Sequence, residues 1–243
     1  MDMITNPWVI FLATALVNQA TVFVTTIYLH RALTHRSIKL HPFVAFVMHA
    51  ILTLFTGISP REWVSVHRKH HHFSDKEGDP HSPYLTGMWD VFFKNAWYYR
   101  RTAADAEVVA QYTKDYTGTL IDKIPGQKFG LVIGWLLFVL AFGSLWGSVA
   151  FVIHGVAYIH LNAAINSICH MIGYQNFKES HNKATNVRWI AWLTGGEGLH
   201  NNHHHVPTSA NFAMRPGEYD PAWAVIWLFD LLGLCEVREY VSV

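Results

Sequence analysis

The chain has 243 residues, of which 51% are apolar and 14% are charged, with a formal net charge of +1. An ordinary soluble domain carries about 25% charged residues, so this balance predicts a membrane protein. The scattered bases exclude nucleic acid as the main partner, because phosphate binding needs a clustered basic excess. The two cysteines, Cys169 and Cys235, lack CxxC spacing and are expected as free thiols of a reducing, cytosol-facing protein.

In chain order, Pro7 to Leu29 is free of charge and long enough to cross a hydrocarbon layer of about 30 Å. It predicts a spanning helix rather than a signal peptide, since no basic segment precedes it. His30 and His35 in HRALTH stand at i and i+5 and share no α-helical face, which suits a chain unwinding at the end of that span. Pro42 to Ser59 is shorter. If it crossed, Arg31, Arg36 and Lys39 would sit opposite Arg61, Arg68 and Lys69, against the positive-inside rule. It is therefore expected in the membrane interface, with His41 and His49 as interfacial side chains.

Pro60 to Lys128 is mixed and aromatic, with Pro83, Pro125 and Gly126 as breakers, and predicts a surface cap of helices and loops. Within it, His67, His70 and His71 stand at i, i+3 and i+4 on one helix face. Phe129 to Trp146 and Ser148 to His170 predict a spanning hairpin with its tip at Gly147. The second of these helices ends with Asn166 and His170 on one face, and its His154 and His160 are expected as hydrogen-bonded polar residues inside the bundle. From Gly173 to Val243 the cap resumes with two Trp-bearing interfacial helices, and His200, His203 and His204 repeat the HxxHH spacing.

These elements add up to an all-α fold: an integral membrane, multi-pass helical bundle of about three spanning helices plus an interfacial apolar helix, under a helical cytosolic cap. It is read as a single domain over residues 1–243. All 18 Lys and Arg fall outside the stretch before Arg31 and the hairpin from Phe129 to His170. The N-terminus and hairpin tip are thus expected away from the cytosol, and the histidine groups converge on the cytosolic side. Imidazole suits zinc, iron, copper and nickel. Nine histidines exceed the roughly four ligands of one zinc, so two metals fit the count. Asn166 is expected to hold a bound water or to coordinate directly, and open metal positions suit dioxygen.

The set HRALTH, HRKHH, NSICH and EGLHNNHH resembles the histidine boxes of the integral-membrane fatty acid desaturases, specifically their acyl-CoA Δ9 (stearoyl-CoA type) branch. Glu62 and Trp63 before the second box, Asp79 to His81, and PTSAN after the last box extend the likeness from about Tyr28 to Glu236. The resemblance implies two iron ions (Fe2+/Fe3+) on His30, His35, His67, His70, His71, His170, His200, His203 and His204, with Asn166 acting through a water. It implies no catalytic residue beyond these, and leaves His72 and His205 outside the set. It further implies an O2-dependent desaturase placing a cis double bond in a long-chain fatty acyl substrate, acyl-CoA or acyl-lipid, held in an apolar tunnel. Trp63 matches a tryptophan at the tunnel bend, the alternative being a membrane-surface anchor. Asn162 stands where the acyl-CoA enzymes carry a bend-shaping Thr, which leaves chain length and bond position open.

No haem-binding, rubredoxin or ferredoxin-type cysteine pattern is present. The resemblance therefore implies an external electron donor: ferredoxin, rubredoxin or a cytochrome b5-like protein with its reductase. Arg61, Lys69, Lys94, Arg100 and Arg101 suit an acidic donor and anionic membrane lipid equally. One span precedes the first box where the resembled enzymes have two, so a partner helix or a homo-oligomer is expected to supply the other. Two rivals stand. The same site supports a fatty acyl hydroxylase or acetylenase. A membrane metal-binding or metal-transport protein would need polar residues through every span, and Phe129 to Trp146 offers only Ser144.

Overall fold

The computed structural model describes residues 4–123, 128–178 and 182–241; Pro125 and Gly126 lie outside them. Asn6 opens α1 (Pro7–Val24) by accepting from the Trp8 and Val9 amides at 2.9 and 3.4 Å, with Pro7 in the first turn where no amide is needed. Trp8, Phe11, Leu12 and Leu16 stay exposed along its outer face, as in a helix solvated by lipid. From Thr25–Thr34 the same helix widens into a π-helix. The apolar segment Pro7–Thr34 thereby reaches 28 residues.

A short strand, β1 (Ile38–Leu40), follows and pairs antiparallel with β2 (Cys235–Val237), Ile38 opposite Val237. This pairing ties the C-terminal segment to the end of the first helix. α2 (Pro42–Phe55) and α3 (Pro60–Phe73) are bent by 90° at the intervening turn, where Ser59 accepts from the Glu62 amide. α4 (Pro83–Thr86), α5 (Met88–Ala103) and α6 (Ala106–Tyr112) complete the first part of the cap. Along α5, Trp89, Phe93 and Trp97 recur every four residues as an exposed aromatic stripe, while Val91 and Asn95 are buried on its other side. That division suits a helix lying in the membrane interface.

α7 (Lys128–Phe142) and α8 (Ser144–Met171) form the expected hairpin, but its tip is Gly143 at φ +83 rather than Gly147. Gly147 instead lies inside α8 as a close-packing site, where a Cβ would stand 2.4 Å from the Phe138 carbonyl oxygen. α7 has 15 residues, about 22 Å at 1.5 Å per residue, shorter than the span read from sequence. It packs on α2 so closely that a Cβ on Gly134 would meet the Leu54 carbonyl at 1.9 Å. Pro7–Thr34 and Ser144–Met171 are long and apolar enough to cross a membrane, and α2 with α3 would make a third if the bent pair is one span.

α9 (Arg188–Leu193), α10 (His200–His205) and α11 (Pro221–Leu231) complete the cap. The main core joins the π-helical turn (Ile27, Tyr28, Leu29) to Ile38, Leu52, Ala222 and Ile226. His49, expected at the interface, is fully buried there and contacts the Thr119 hydroxyl at 2.6 Å. A buried imidazole needs a hydrogen-bond partner, and the Thr119 loop supplies it. His154 is also buried and donates toward the Phe55 carbonyl at 3.0 Å, inside the bundle as expected. Both cysteines are free and buried.

Candidate metal centre

The π-helical stretch decides how the first box works. Its amide of His35 donates to the carbonyl of His30 at 3.0 Å, five residues back, and the Thr34 hydroxyl donates to the Leu29 carbonyl at 2.8 Å. The expected unwinding does not occur. A π-helix closes its hydrogen bonds five residues back rather than four and so widens each turn, which brings HxxxxH toward one face, and the His30 and His35 rings meet at 4.8 Å.

The other boxes divide in the opposite way. On α3, His67 and His71 turn to one centre and His70 to another; on α10, His203 joins the first centre while His200 and His204 join the second. The two groups are His30, His35, His67, His71 and His203, and His70, His170, His200 and His204, with the ligand atoms of each within 4.8 Å of one another. These are the nine histidines named by the resemblance. His72 is exposed beside the Tyr112 hydroxyl at 2.9 Å, and His205 stacks on Phe177 at 3.7 Å, both outside the groups.

Three buried carboxylates, given no role at the sequence level, orient the rings. Glu197 lies 2.6 Å from His30 Nδ1, Asp79 2.9 Å from His70 Nδ1, and Asp75 3.0 Å from His170 Nδ1. Each carboxylate holds the ring proton on Nδ1, leaving the Nε2 lone pair directed inward. Asp75 reaches this position through a left-handed backbone, φ +61, and also accepts from the Lys183 amide at 2.8 Å. Arg31 backs the arrangement from behind. It is fully buried, 2.6 Å from Asp220 and 3.6 Å from Glu197, with its guanidinium 3.8 Å over the Phe212 ring.

The inward nitrogens test whether a metal fits. His30 and His203 face each other Nε2 to Nε2 at 3.0 Å, His71 and His203 at 2.9 Å, and His170 and His200 at 3.0 Å. The buried Nε2 atoms of His35 and His70 have no partner among the described residues. Lone pairs gathered this closely in a dry site call for a cation between them, so the residues fit metal binding.

Burial first, and then the neighbouring imidazoles, holds His35, His200, His203 and His204 well below the ordinary histidine value of 6.5. They stay neutral in the fold, while the unfolded chain takes up protons below 6.5. These four groups therefore contribute stability to the metal-free fold that is fully present above that pH and is lost progressively on acidification. Thermal unfolding in detergent from about pH 7.5 to about pH 5 checks this; a flat midpoint would contradict it.

A cavity of about 430 Å³ opens onto the first group and is lined by His30, His67 and Trp63 at one end and by Leu131, Phe151 and His154 along the hairpin. Trp63 stacks flat on His67, with ring centroids 4.7 Å apart. Asn162 also lines it, donating to the Tyr158 carbonyl at 2.8 Å, and Asn166 donates to the Asn95 side chain at 3.0 Å. This volume lies in the range of small-molecule sites, about 300 to 1,000 Å³.

Residues 6–232 match the family described as Fatty acid desaturase. The Delta-9 desaturase-like 2 protein of Arabidopsis thaliana is 34% identical over 218 residues, covering 84% of this chain and 68% of the relative. The sn-1 stearoyl-lipid 9-desaturase of Anabaena variabilis is 32% identical, covering 86% and 76%. The Acyl-CoA 5-desaturase AL21 of Anemone leveillei is 34% identical, covering 88% and 66%. Relatives named for lipid-bound and for CoA-bound acyl chains thus stand at similar distance. With its paired histidine groups, apolar helices and match over nearly its whole length, the chain belongs to the fatty acid desaturase family as a Δ9 desaturase-like member, an oxidoreductase of lipid metabolism.

Proposed function

We propose that this single desaturase domain binds two iron ions on the nine histidines, with Asn166 holding a water, and introduces a cis double bond into a long-chain fatty acyl substrate. The carrying observation is the convergence of nine imidazoles in two groups at the end of a largely apolar cavity. When bound, iron supplies the activation of dioxygen that unactivated C–H bonds require. Two hydrogens leave adjacent methylenes and, with two electrons and two protons from outside, reduce dioxygen to water. The electrons come from a separate ferredoxin, rubredoxin or cytochrome b5-like protein.

The chain's own residues orient and exclude. Glu197, Asp75 and Asp79 keep protons on the Nδ1 atoms and so fix the rings. Trp63, stacked on His67, forms the wall that sets which methylenes face the centre, because methylenes differ only in position. The histidine groups face the cytosol, on the positive-inside argument.

Protein purified in detergent without added metal should contain about two irons per chain. In a host that supplies an electron donor, expression should yield a new cis-unsaturated fatty acid; an alcohol or an alkyne would favour the hydroxylase or acetylenase outcome. Asn162→Thr is expected to move the bond position or chain-length preference more than the rate. An unchanged product spectrum would remove Asn162 from the tunnel.

A further inference from the structure

The two histidine groups meet the cavity unequally. His30 and His67 of the first group line it, whereas of the second group only its neighbours His81 and Asn166 do. His81 stacks on His70 with ring centroids 4.6 Å apart, and its backbone amide donates to the Asp79 carboxylate at 3.1 Å. Asn166 precedes His170 by one helical turn on α8. His81 and Asn166 therefore flank the His70–His170 pair on its cavity side.

His81 is 4% exposed, and neither ring nitrogen has a partner among the described residues. A neutral imidazole offers one donor and one acceptor, and an acyl chain can satisfy neither. Asn166 gives its amide nitrogen to Asn95, leaving its carbonyl oxygen to accept. Together these groups present the donors and acceptors that an ordered water needs in a buried polar niche.

We propose that His81, with Asn95, completes the niche in which Asn166 holds its water beside the second histidine group, and that His81 is a positioning residue for the reaction at that centre. It rests on the two-iron reading and on Asn166 as its water holder, and it assigns His81, whose ring also stands within 4.8 Å of the ligand atoms of His70 and Asp79, to the water rather than to a metal. The niche keeps a water against one centre and away from the methylenes, which gives the two centres different surroundings.

The test uses full-length protein loaded with 57Fe. His81→Phe keeps a ring to stack on His70 and removes both nitrogens; His81→Gln restores a donor and an acceptor. In the Phe variant, bound iron and the KM for the acyl substrate should stay unchanged while kcat falls about 10- to 100-fold. The Mössbauer signal of one iron site should shift, and the Gln variant should recover most of both losses. A metal-replete Phe variant with the wild-type spectrum overturns the proposal, whatever its activity. Iron lost from that variant overturns it differently, by making His81 a ligand. Wild-type protein that binds no iron fails the metal reading itself, and the niche falls with it.

Discussion

His203→Ala is expected to abolish desaturation and to lower bound iron from about two per chain to about one or less. His203 is the imidazole that faces both His30 and His71 Nε2 to Nε2, at 3.0 and 2.9 Å. It thereby connects the first spanning segment, α3 and α10 in one group. Removing its ring leaves the remaining lone pairs of that group without the geometry that gathers them. Metal analysis and fatty acid profiling on the same preparation check the prediction. Full metal with full activity would take His203 out of the ligand set.

Arg31→Met should be the most destabilising single change outside the histidines, by about 3–5 kcal/mol, because it strips one side from a buried ion network. Asp220 and Glu197 are 3% and 7% exposed; without Arg31 both carboxylates stay buried with their cationic partner gone. Asp220 also accepts from the Ala222 and Trp223 amides at the start of α11, so the loss spreads to the C-terminal cap. Thermal unfolding in detergent measures it. The double variant Arg31→Met with Asp220→Asn should recover part of the loss, since it removes one orphaned charge. An unchanged midpoint in the single variant would mean that the network adds no net stability.

Much of the site was legible because imidazoles are rare and their spacings are geometric. HxxHH on two helices marked His67, His70, His71, His200, His203 and His204, and the apolar runs marked α1, α7 and α8. The π turn was hidden: the same HxxxxH spacing also fits a helix end that unwinds, and only the backbone distinguishes the two. Glu197, Asp75 and Asp79 were hidden because a carboxylate earns a role from what it touches. Glu197 meets His30 from 167 positions away. The hairpin tip was misplaced by four residues since Gly143 and Gly147 look alike in sequence. One turns the chain through a positive φ, while the other lets two helices touch. His49 was misjudged for a similar reason, its partner Thr119 lying in a distant loop.

The division of each HxxHH box between two groups also bears on how the protein acquires metal. α10 sends His203 to one group and His200 with His204 to the other, and α3 divides its three rings in the same manner. On the two-metal reading, a first ion that fixes the rings of one group also holds the two helices that carry rings of the other. The side-chain entropy lost on fixing these rings is then shared between two binding events. On that reading, loading is expected to be cooperative, with singly loaded protein a scarce species.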